Sequence, residues 1–283
     1  PPETLKDLCE ILPCLALQSH SEWGYQCTLE YRLDDGLTRR SALAPIGTFT
    51  GSHNGPADGP VRADTDIWRI ETPLRHAILH WHVHCAAPLL DIPALLAVSL
   101  RQTGEILQAE PTAGSVELAV PARSQMQLRA ELANRVCSPT SVSMVLEFYR
   151  KTNDVYDIIA EAQHQPSGLY GVWPANIHAA TRRGLMGYLL HFPDWQTARH
   201  LLDNGLPIIA SVRYEEGELR NGAIARTRGH LLVVRGYAGD QVLVNDPAAK
   251  SDAEVARAYD RREFCEIWLA RSAVGYVLVA EDP

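Results

Sequence analysis

Cys137 is the residue whose type and position point most directly to chemistry. It stands immediately before Ser138–Lys151, where apolar residues recur at helical spacing and predict a helix. The positive end of a helix dipole lowers the pKa of a thiol at the helix start and favours the nucleophilic thiolate. Free backbone N–H groups in the same turn could also stabilise an oxyanion. A buried structural cysteine is the alternative interpretation.

His230 and Asp246 could supply a base and the group that orients it. His230 begins an apolar strand pattern, and Asp246 follows a second one, Gln241–Val244. If Ala238-Gly239-Asp240 forms the turn between two antiparallel strands, the Asp246 carboxylate lies next to the His230 ring. The carboxylate would then fix the tautomer and support the imidazolium that forms when a thiol is deprotonated. Either residue alone is more often structural, but the three together predict a thiol–imidazole–carboxylate row.

Several segments carry a resemblance to a known family. "QMQLRAELANRVCSPTSVSMVLEFY", "GVWPANIHAATRRGL", "TRGHLLVVRGY" and "VLVNDPAA", in this order, resemble the C39-like peptidases of the papain superfamily. The resemblance extends over about residues 120–283. It implies a papain-like fold and thiol attack on an amide or similar carbonyl. The implied catalytic residues are Cys137, His230 and Asp246.

The resemblance also implies an upstream glutamine that donates a hydrogen bond to the oxyanion. Gln125 is the matching residue, and Gln127 and Asn134 stay open as alternatives. In the best-known branch of the family, the peptidase is fused to membrane spans and a nucleotide-binding domain and cuts leader peptides after a double glycine. This sequence has no such spans and no phosphate-binding glycine loop, so leader processing is not an expectation for it.

The length and order of elements predict two domains. The chain has 283 residues, which suits two cores better than one. We expect an α+β architecture, with a small all-β sandwich-like domain at 1–118 and a papain-like cysteine peptidase domain at 119–283. The predicted helices are Ser138–Lys151, Pro174–Arg183 and Asp194–Asp203, with a short one at Glu3–Leu12 that Pro13 ends. The predicted strands are 23–33, 37–44, Asp66–Glu71, His76–Cys85, Leu95–Arg101, Ser115–Val120, Pro207–Tyr214, His230–Tyr237, Gln241–Val244 and Ala273–Ala280.

Composition and net charge limit the classes of partner that the protein could bind. The formal net charge of −8 makes nucleic acid and anionic membrane surfaces poor partners, and no apolar run reaches the roughly 18 residues of a spanning helix. The six cysteines have no metal-ligand spacing and fit reduced thiols. We therefore expect a soluble protein of a reducing compartment, the cytoplasm. A secreted form with a removed signal segment stays open, because the chain begins at Pro1 without a methionine.

The other histidines are predicted to be structural. His80, His82 and His84 alternate along one strand and could bind zinc or copper, but Trp81, Val83 and Cys85 would face a core, which favours an ordinary half-exposed strand. His164 and His178 are expected on the surface. No metal and no cofactor is expected.

The sequence therefore predicts a cysteine peptidase or amidohydrolase that acts on a peptide or another amide or acyl substrate. A thiol acyltransferase with the same triad and a non-catalytic binding protein on a papain-like scaffold are the alternatives. Neither the substrate nor the oligomeric state can be inferred from the sequence.

Overall fold

The computed structural model describes residues 7–51, 59–102 and 114–280, which form a mixed α/β architecture rich in antiparallel strands. The strands of the first part are β1 (Leu8–Leu17), β2 (Trp23–Arg32), β3 (Thr38–Ala42), β4 (Ile46–Gly47), β5 (Val61–Ala63), β6 (Trp68–Ile70), β7 (His76–Cys85) and β8 (Ala94–Gln102). They form a sheet of order β5-β6-β1-β8 and a second sheet in which β2 pairs with β3, β4 and β7. The inward side chains of both sheets share a core that includes Ile11, Leu29 and Trp68.

The predicted helix at Glu3–Leu12 is wrong over the residues that the structure describes, because β1 begins at Leu8 and continues through Pro13. Nearly every residue of this strand is buried, so its sequence lacks the polar alternation of a half-exposed strand. β1 pairs with β6 only at Glu10 and Ile11. At Pro13 the strand therefore has β8 alone beside it, a setting in which a strand tolerates the missing N–H of proline.

The second part is built on a seven-stranded antiparallel sheet with helices packed against it. Its strands are β9 (Ser115–Glu117), β10 (Leu185–His191), β11 (Ile208–Tyr214), β12 (Thr227–Ala238), β13 (Gln241–Asn245), β14 (Ala256–Asp260) and β15 (Val274–Ala280). The helices are α1 (Cys137–Phe148), α2 (Val155–Ala162), α3 (Trp173–Thr181), α4 (Trp195–Asp203), α5 (Asp252–Val255) and α6 (Arg261–Trp268). The strand order is β10-β15-β11-β12-β13-β14, and β9 pairs with β12.

The three predicted helices of this part are present as α1, α3 and α4, but the helices α2, α5 and α6 and the strands β10 and β14 are additional to the prediction. The strand expected at Ser115–Val120 pairs with β12 of the large sheet, from Gly236 to Ala238. A Cβ atom at Gly236 would lie 2.0 Å from the carbonyl oxygen of Val116, so this pairing requires glycine there.

The two parts share a continuous packing surface. Apolar side chains of β1, among them Leu12 and Cys14, belong to the same core cluster as α1, α3 and β10. The expectation that His164 and His178 are surface residues is wrong, because both are buried at this contact. Nε2 of His164 lies 3.0 Å from the carbonyl oxygen of Pro45, and Nε2 of His178 lies 3.0 Å from that of Trp23. Both histidines therefore hold backbone carbonyl groups inside the protein, where the sequence predicted surface residues.

Candidate active site

Helix α1 places Cys137 at its first residue, with Val136 as the N-cap. The next residue is fixed in the core, because the Ser138 hydroxyl lies 2.6 Å from the Tyr276 hydroxyl of β15. Pro139 is tolerated in this first turn because its missing N–H would have no partner within the helix. The sulfur of Cys137 thus lies at the positive end of a rigidly held helix, and Cys137 itself is half-exposed.

The β12–β13 hairpin brings His230 and Asp246 together. The two strands pair in antiparallel register from Val233 opposite Asn245 to Ala238 opposite Gln241, which confirms the predicted hairpin. Nε2 of His230 lies 2.7 Å from Oδ1 of Asp246. Because Nε2 is occupied by the carboxylate, Nδ1 is the ring nitrogen left to face the sulfur of Cys137.

Asp246 is completely buried and is held from two further directions. Its Oδ1 also accepts a hydrogen bond from the backbone N–H of Ala248 at 3.0 Å. Its Oδ2 accepts one from the hydroxyl of Tyr259 in β14 at 2.8 Å. Burial by itself raises the pKa of Asp246, but the charge and hydrogen bond of His230, with these two donors, lower it overall. The carboxylate is therefore ionised and fixed in orientation.

Cys137 and His230 lie close enough for the thiol and the imidazole to shift each other's pKa, through hydrogen bonding and through charge. Burial alone raises the pKa of Cys137, but the hydrogen bond and the charge of His230 bring it below its ordinary value. Burial alone lowers the pKa of His230, but Asp246 and the Cys137 sulfur raise it well above its ordinary value. Opposite shifts of this kind favour a thiolate–imidazolium pair.

The three candidate oxyanion donors lie in different environments. Gln125 is buried in a short 3₁₀ helix, and its backbone N–H donates to the carbonyl oxygen of Pro247, directly after Asp246. Its side-chain Oε1 is buried without a hydrogen-bond partner. Gln127 is exposed. Asn134 lines the cleft beside Cys137, whereas Gln125 is not among the residues that line it.

An open cleft of about 720 Å³ adjoins Cys137, and both parts of the chain line it. The second part contributes Asn134, Arg135 and Cys137, the segment 169–173, and residues of β11 and β12. The first part contributes 64–67 and Arg69. A substrate that reaches the sulfur therefore passes between the large sheet and the loop before β6.

The histidine-rich strand β7 lies away from this cleft. Trp81, Val83 and Cys85 pack against an apolar cluster, as the sequence predicts, and the alternating histidines lie on the other face. Nε2 of His80 lies 3.5 Å from Oε2 of Glu30. In the part of the chain that the structure describes, no group of three or more His, Cys, Asp or Glu residues could hold a metal ion. No helix there is long and apolar enough to cross a membrane.

Two residues at the site were not found from the sequence. Tyr259 in β14 donates a hydrogen bond to Asp246. The segment "ARAYD" could have indicated this residue if it had been assigned to a strand, because that strand pairs with β13 and places Tyr259 opposite Val242. Asp66 lies in the cleft and accepts a hydrogen bond from the backbone N–H of Trp173, at the start of α3, at 3.0 Å. Burial raises the pKa of Asp66 to about 6. No local pattern could have indicated Asp66, because its partner is more than one hundred residues away.

Comparison with known protein families assigns the chain to a family. Residues 117–276 match the family described as Peptidase_C39 like family. This match covers more than half of the chain, so the protein belongs to the C39-like peptidase family, and the resemblance in its sequence is confirmed.

Two solved structures resemble the chain. One is described as a C39-like peptidase from Bacillus anthracis, with 18% identity, a TM-score of 0.46, and coverage of 60% of this chain and 100% of that one. The other is a double glycine motif protease from an AMS/PCAT transporter in complex with the leader peptide, with 18% identity, a TM-score of 0.39, and coverage of 60% and 98%. Among curated proteins, none matches the chain.

Proposed function

We propose that this protein is a cysteine peptidase or amidohydrolase in which Cys137 is the nucleophile, His230 its base and Asp246 the group that orients His230. One observation carries the proposal: Cys137 begins α1 at the lining of an open cleft, its thiol interacts with His230, and the His230 ring is hydrogen-bonded to a buried carboxylate. A structural cysteine would need neither the cleft nor the row behind it.

The chemistry follows the triad pattern. The Cys137 thiolate attacks the carbonyl carbon of an amide, and a C–S bond forms as the carbonyl oxygen becomes an oxyanion. The imidazolium of His230 gives its proton to the leaving nitrogen, the C–N bond breaks, and the amine departs. His230 then takes a proton from water, the resulting hydroxide attacks the thioester, and the carboxylic product leaves while the thiolate is restored.

The backbone N–H groups at the start of α1 and the side-chain amide of Gln125 stabilise the oxyanion. The support for Gln125 is that its backbone N–H is hydrogen-bonded to the carbonyl oxygen of Pro247, in the loop directly after Asp246.

We further propose that the papain-like domain, predicted at 119–283, begins with β9, which pairs with β12, and that β1–β8 of the predicted domain 1–118 form a sandwich-like domain that restricts access to it. The core shared by the two sheets of the first part supports a separate sandwich-like domain. The presence of residues 64–67 in the cleft wall supports its role in restricting access.

Iodoacetamide labelling at neutral pH, followed by peptide mass spectrometry, tests the nucleophile. We expect Cys137 to react at least about tenfold faster than Cys265, because burial raises the pKa of Cys265 to about 12 while that of Cys137 is lowered. His230→Ala should remove this advantage, and Cys137→Ala should abolish peptide cleavage. Cys265→Ala is the matched control. Equal labelling of Cys137 and Cys265 would contradict the proposal.

The amide donor is tested by three single variants. Gln125→Ala should lower kcat/KM by about a hundredfold or more with kcat falling in proportion, the behaviour of a group that acts in the transition state. Gln127→Ala and Asn134→Ala are the controls, expected to stay within about threefold. A loss in Asn134→Ala without one in Gln125→Ala would transfer the donor role to Asn134.

A further inference from the structure

Three of the four arginines that line the cleft beside Cys137 have no carboxylate partner among the residues that the structure describes. Arg135, Arg213 and Arg228 all line it and are exposed. None of the three forms an ion pair within the residues that the structure describes. This concentration of positive charge stands out because the chain as a whole carries a formal charge of −8.

The opposite wall does not neutralise these arginines. Arg69 pairs with Asp64 at 2.7 Å and also with Glu10, so the charges of that wall are largely satisfied among themselves. Arg62 lies 3.3 Å from Asp64 as well. Asp66 is engaged with the backbone N–H at the start of α3. The cleft therefore keeps a net positive charge between its two walls.

Two of the arginines are neighbours on paired strands. In the β11–β12 ladder, Val212 lies opposite His230 and Tyr214 lies opposite Thr227, with an irregularity between. Arg213 and Arg228 lie within this interval. Like charges close together on adjacent strands repel each other unless an opposite charge joins them. An anionic group bound between them would remove that repulsion.

Arg135 is held in place before any ligand arrives. Its guanidinium stacks on the ring of Tyr170 at 5.1 Å from the centroid, and its Nη2 donates to the carbonyl oxygen of Gly168 at 3.2 Å. A guanidinium fixed in this way loses little conformational freedom when it binds a carboxylate.

The arginines also lie at defined places along the row. Arg135 is two residues before Cys137, and Arg228 is two residues before His230. Two residues of extended chain span at most about 7 Å, so each arginine begins close to Cys137 or His230, and both line the same cleft as Cys137.

We infer that the substrates of this cleft are anionic: peptides or acyl compounds with a carboxylate within about two residues of the bond that Cys137 attacks. Arg135 and Arg228, with Arg213, are the residues that select it. This inference rests on the proposed function, since it concerns the same site.

A pair of reagents that differ by one carboxylate tests the inference without a known substrate. The rate of alkylation of Cys137 is measured with iodoacetate and with iodoacetamide in the wild type and in the Arg135→Gln, Arg213→Gln and Arg228→Gln variants. The imidazolium of His230 attracts iodoacetate in every variant, so the change in the iodoacetate-to-iodoacetamide ratio is the readout. We expect each substitution to lower it by about twofold to threefold, the effect of one charge at about 7 Å in water. Added salt should reduce the wild-type ratio.

Arg226→Gln is the matched control, because Arg226 is exposed just before β12 and does not line the cleft. It should leave the ratio unchanged. If Cys137 reacts rapidly but the cleft variants keep the wild-type ratio, the anionic-substrate inference is wrong and the proposed nucleophile stands. If Cys137 reacts with neither reagent, the proposed function fails and the inference fails with it.

Cleavage of a mixed peptide library provides a second measurement. The positions cut by the wild type and not by Cys137→Ala should show Asp or Glu within two residues of the cut. The double variant Arg135→Gln/Arg228→Gln should lose that preference while Arg226→Gln keeps it. Cuts without an acidic preference would overturn the inference.

Discussion

Two buried histidine–carboxylate pairs occupy different regions of this molecule. In the cleft, Nε2 of His230 lies 2.7 Å from Asp246, and at the contact between the two parts, Nε2 of His191 lies 3.0 Å from Glu10. Both imidazoles and both carboxylates are buried. The distances alone do not separate the pairs.

The two histidine–carboxylate pairs differ in the groups that surround them. The His230 ring also contacts a thiol that opens onto a cleft, whereas Nδ1 of His191 is buried without a hydrogen-bond partner. Glu10 pairs with Arg69 and Arg101 as well as His191. Its carboxylate therefore links β1 to β6, β8 and β10. A histidine beside a carboxylate becomes a base only where a nucleophile and room for a substrate adjoin it.

Asp246→Asn should produce the largest difference between the two regions. The asparagine keeps the shape but cannot support the imidazolium, so we expect kcat/KM to fall by about 10²–10⁴ and the alkylation rate of Cys137 at neutral pH to fall with it. Glu10→Gln removes the same kind of charge from the other pair and should leave both rates within about twofold. Equal losses in the two variants would show that the pairs do not differ in role.

Tyr259→Phe should sharpen the comparison by a smaller step. It removes the hydroxyl that donates to Oδ2 of Asp246, so the carboxylate supports the imidazolium less well. In the wild type, alkylation should rise with pH through the lowered pKa of Cys137, below the ordinary value of 9.0. The variant should shift this midpoint upward by up to about one unit and lower kcat/KM by about tenfold or less.

Tyr214→Phe is the matched control for this change. Tyr214 is also buried, but its hydroxyl donates to the carbonyl oxygen of Ile224 at 3.1 Å rather than to Asp246. Its midpoint should match the wild type. A shift as large as that of Tyr259→Phe would mean that general disturbance of this sheet, and not the hydrogen bond, moves the pKa of the thiol.

The sequence allowed the His230 hairpin and helix α1 to be predicted because both depend on local signals. Gly239 marks the turn, and Pro139 marks the first turn of a helix with one apolar face. β1 and β10 were missed because they are buried along nearly their whole length where the two parts meet, so neither shows a period of two. The helix α2 was findable, since Asp154 caps it and Ile158, Ile159 and Ala162 share a buried face.

The walls of the cleft could not be predicted for a different reason. Asp66 and Arg135 reach the same space from opposite sides of a contact between segments about seventy residues apart, and no period or spacing encodes that approach. In the sequence, Arg213 and Arg228 look like ordinary exposed arginines. Only the pairing of β11 with β12 places them in the same interval of the sheet. The proposed nucleophile and its proposed partners are therefore predictable from chain-local patterns, while the groups proposed to select a substrate depend on tertiary packing.

Glu10→Gln should have the smallest effect on rate, and a distinct effect on stability. Burial raises the pKa of Glu10, but the hydrogen bond of His191 and the arginine charges lower it overall below 4.5. A lowered folded-state pKa adds stability that is present above pH 4.5 and is lost as pH falls through the lower folded value. In urea unfolding, the variant should be less stable than the wild type by about 1–3 kcal/mol at pH 7, and this difference in stability should narrow below pH 4.5.

Glu117→Gln is the control for this change. It breaks an exposed pair with Arg235 and should change the stability little at either pH, because solvent screens that pair. A gap that does not depend on pH would mean that Glu10 stabilises the contact by packing rather than by charge.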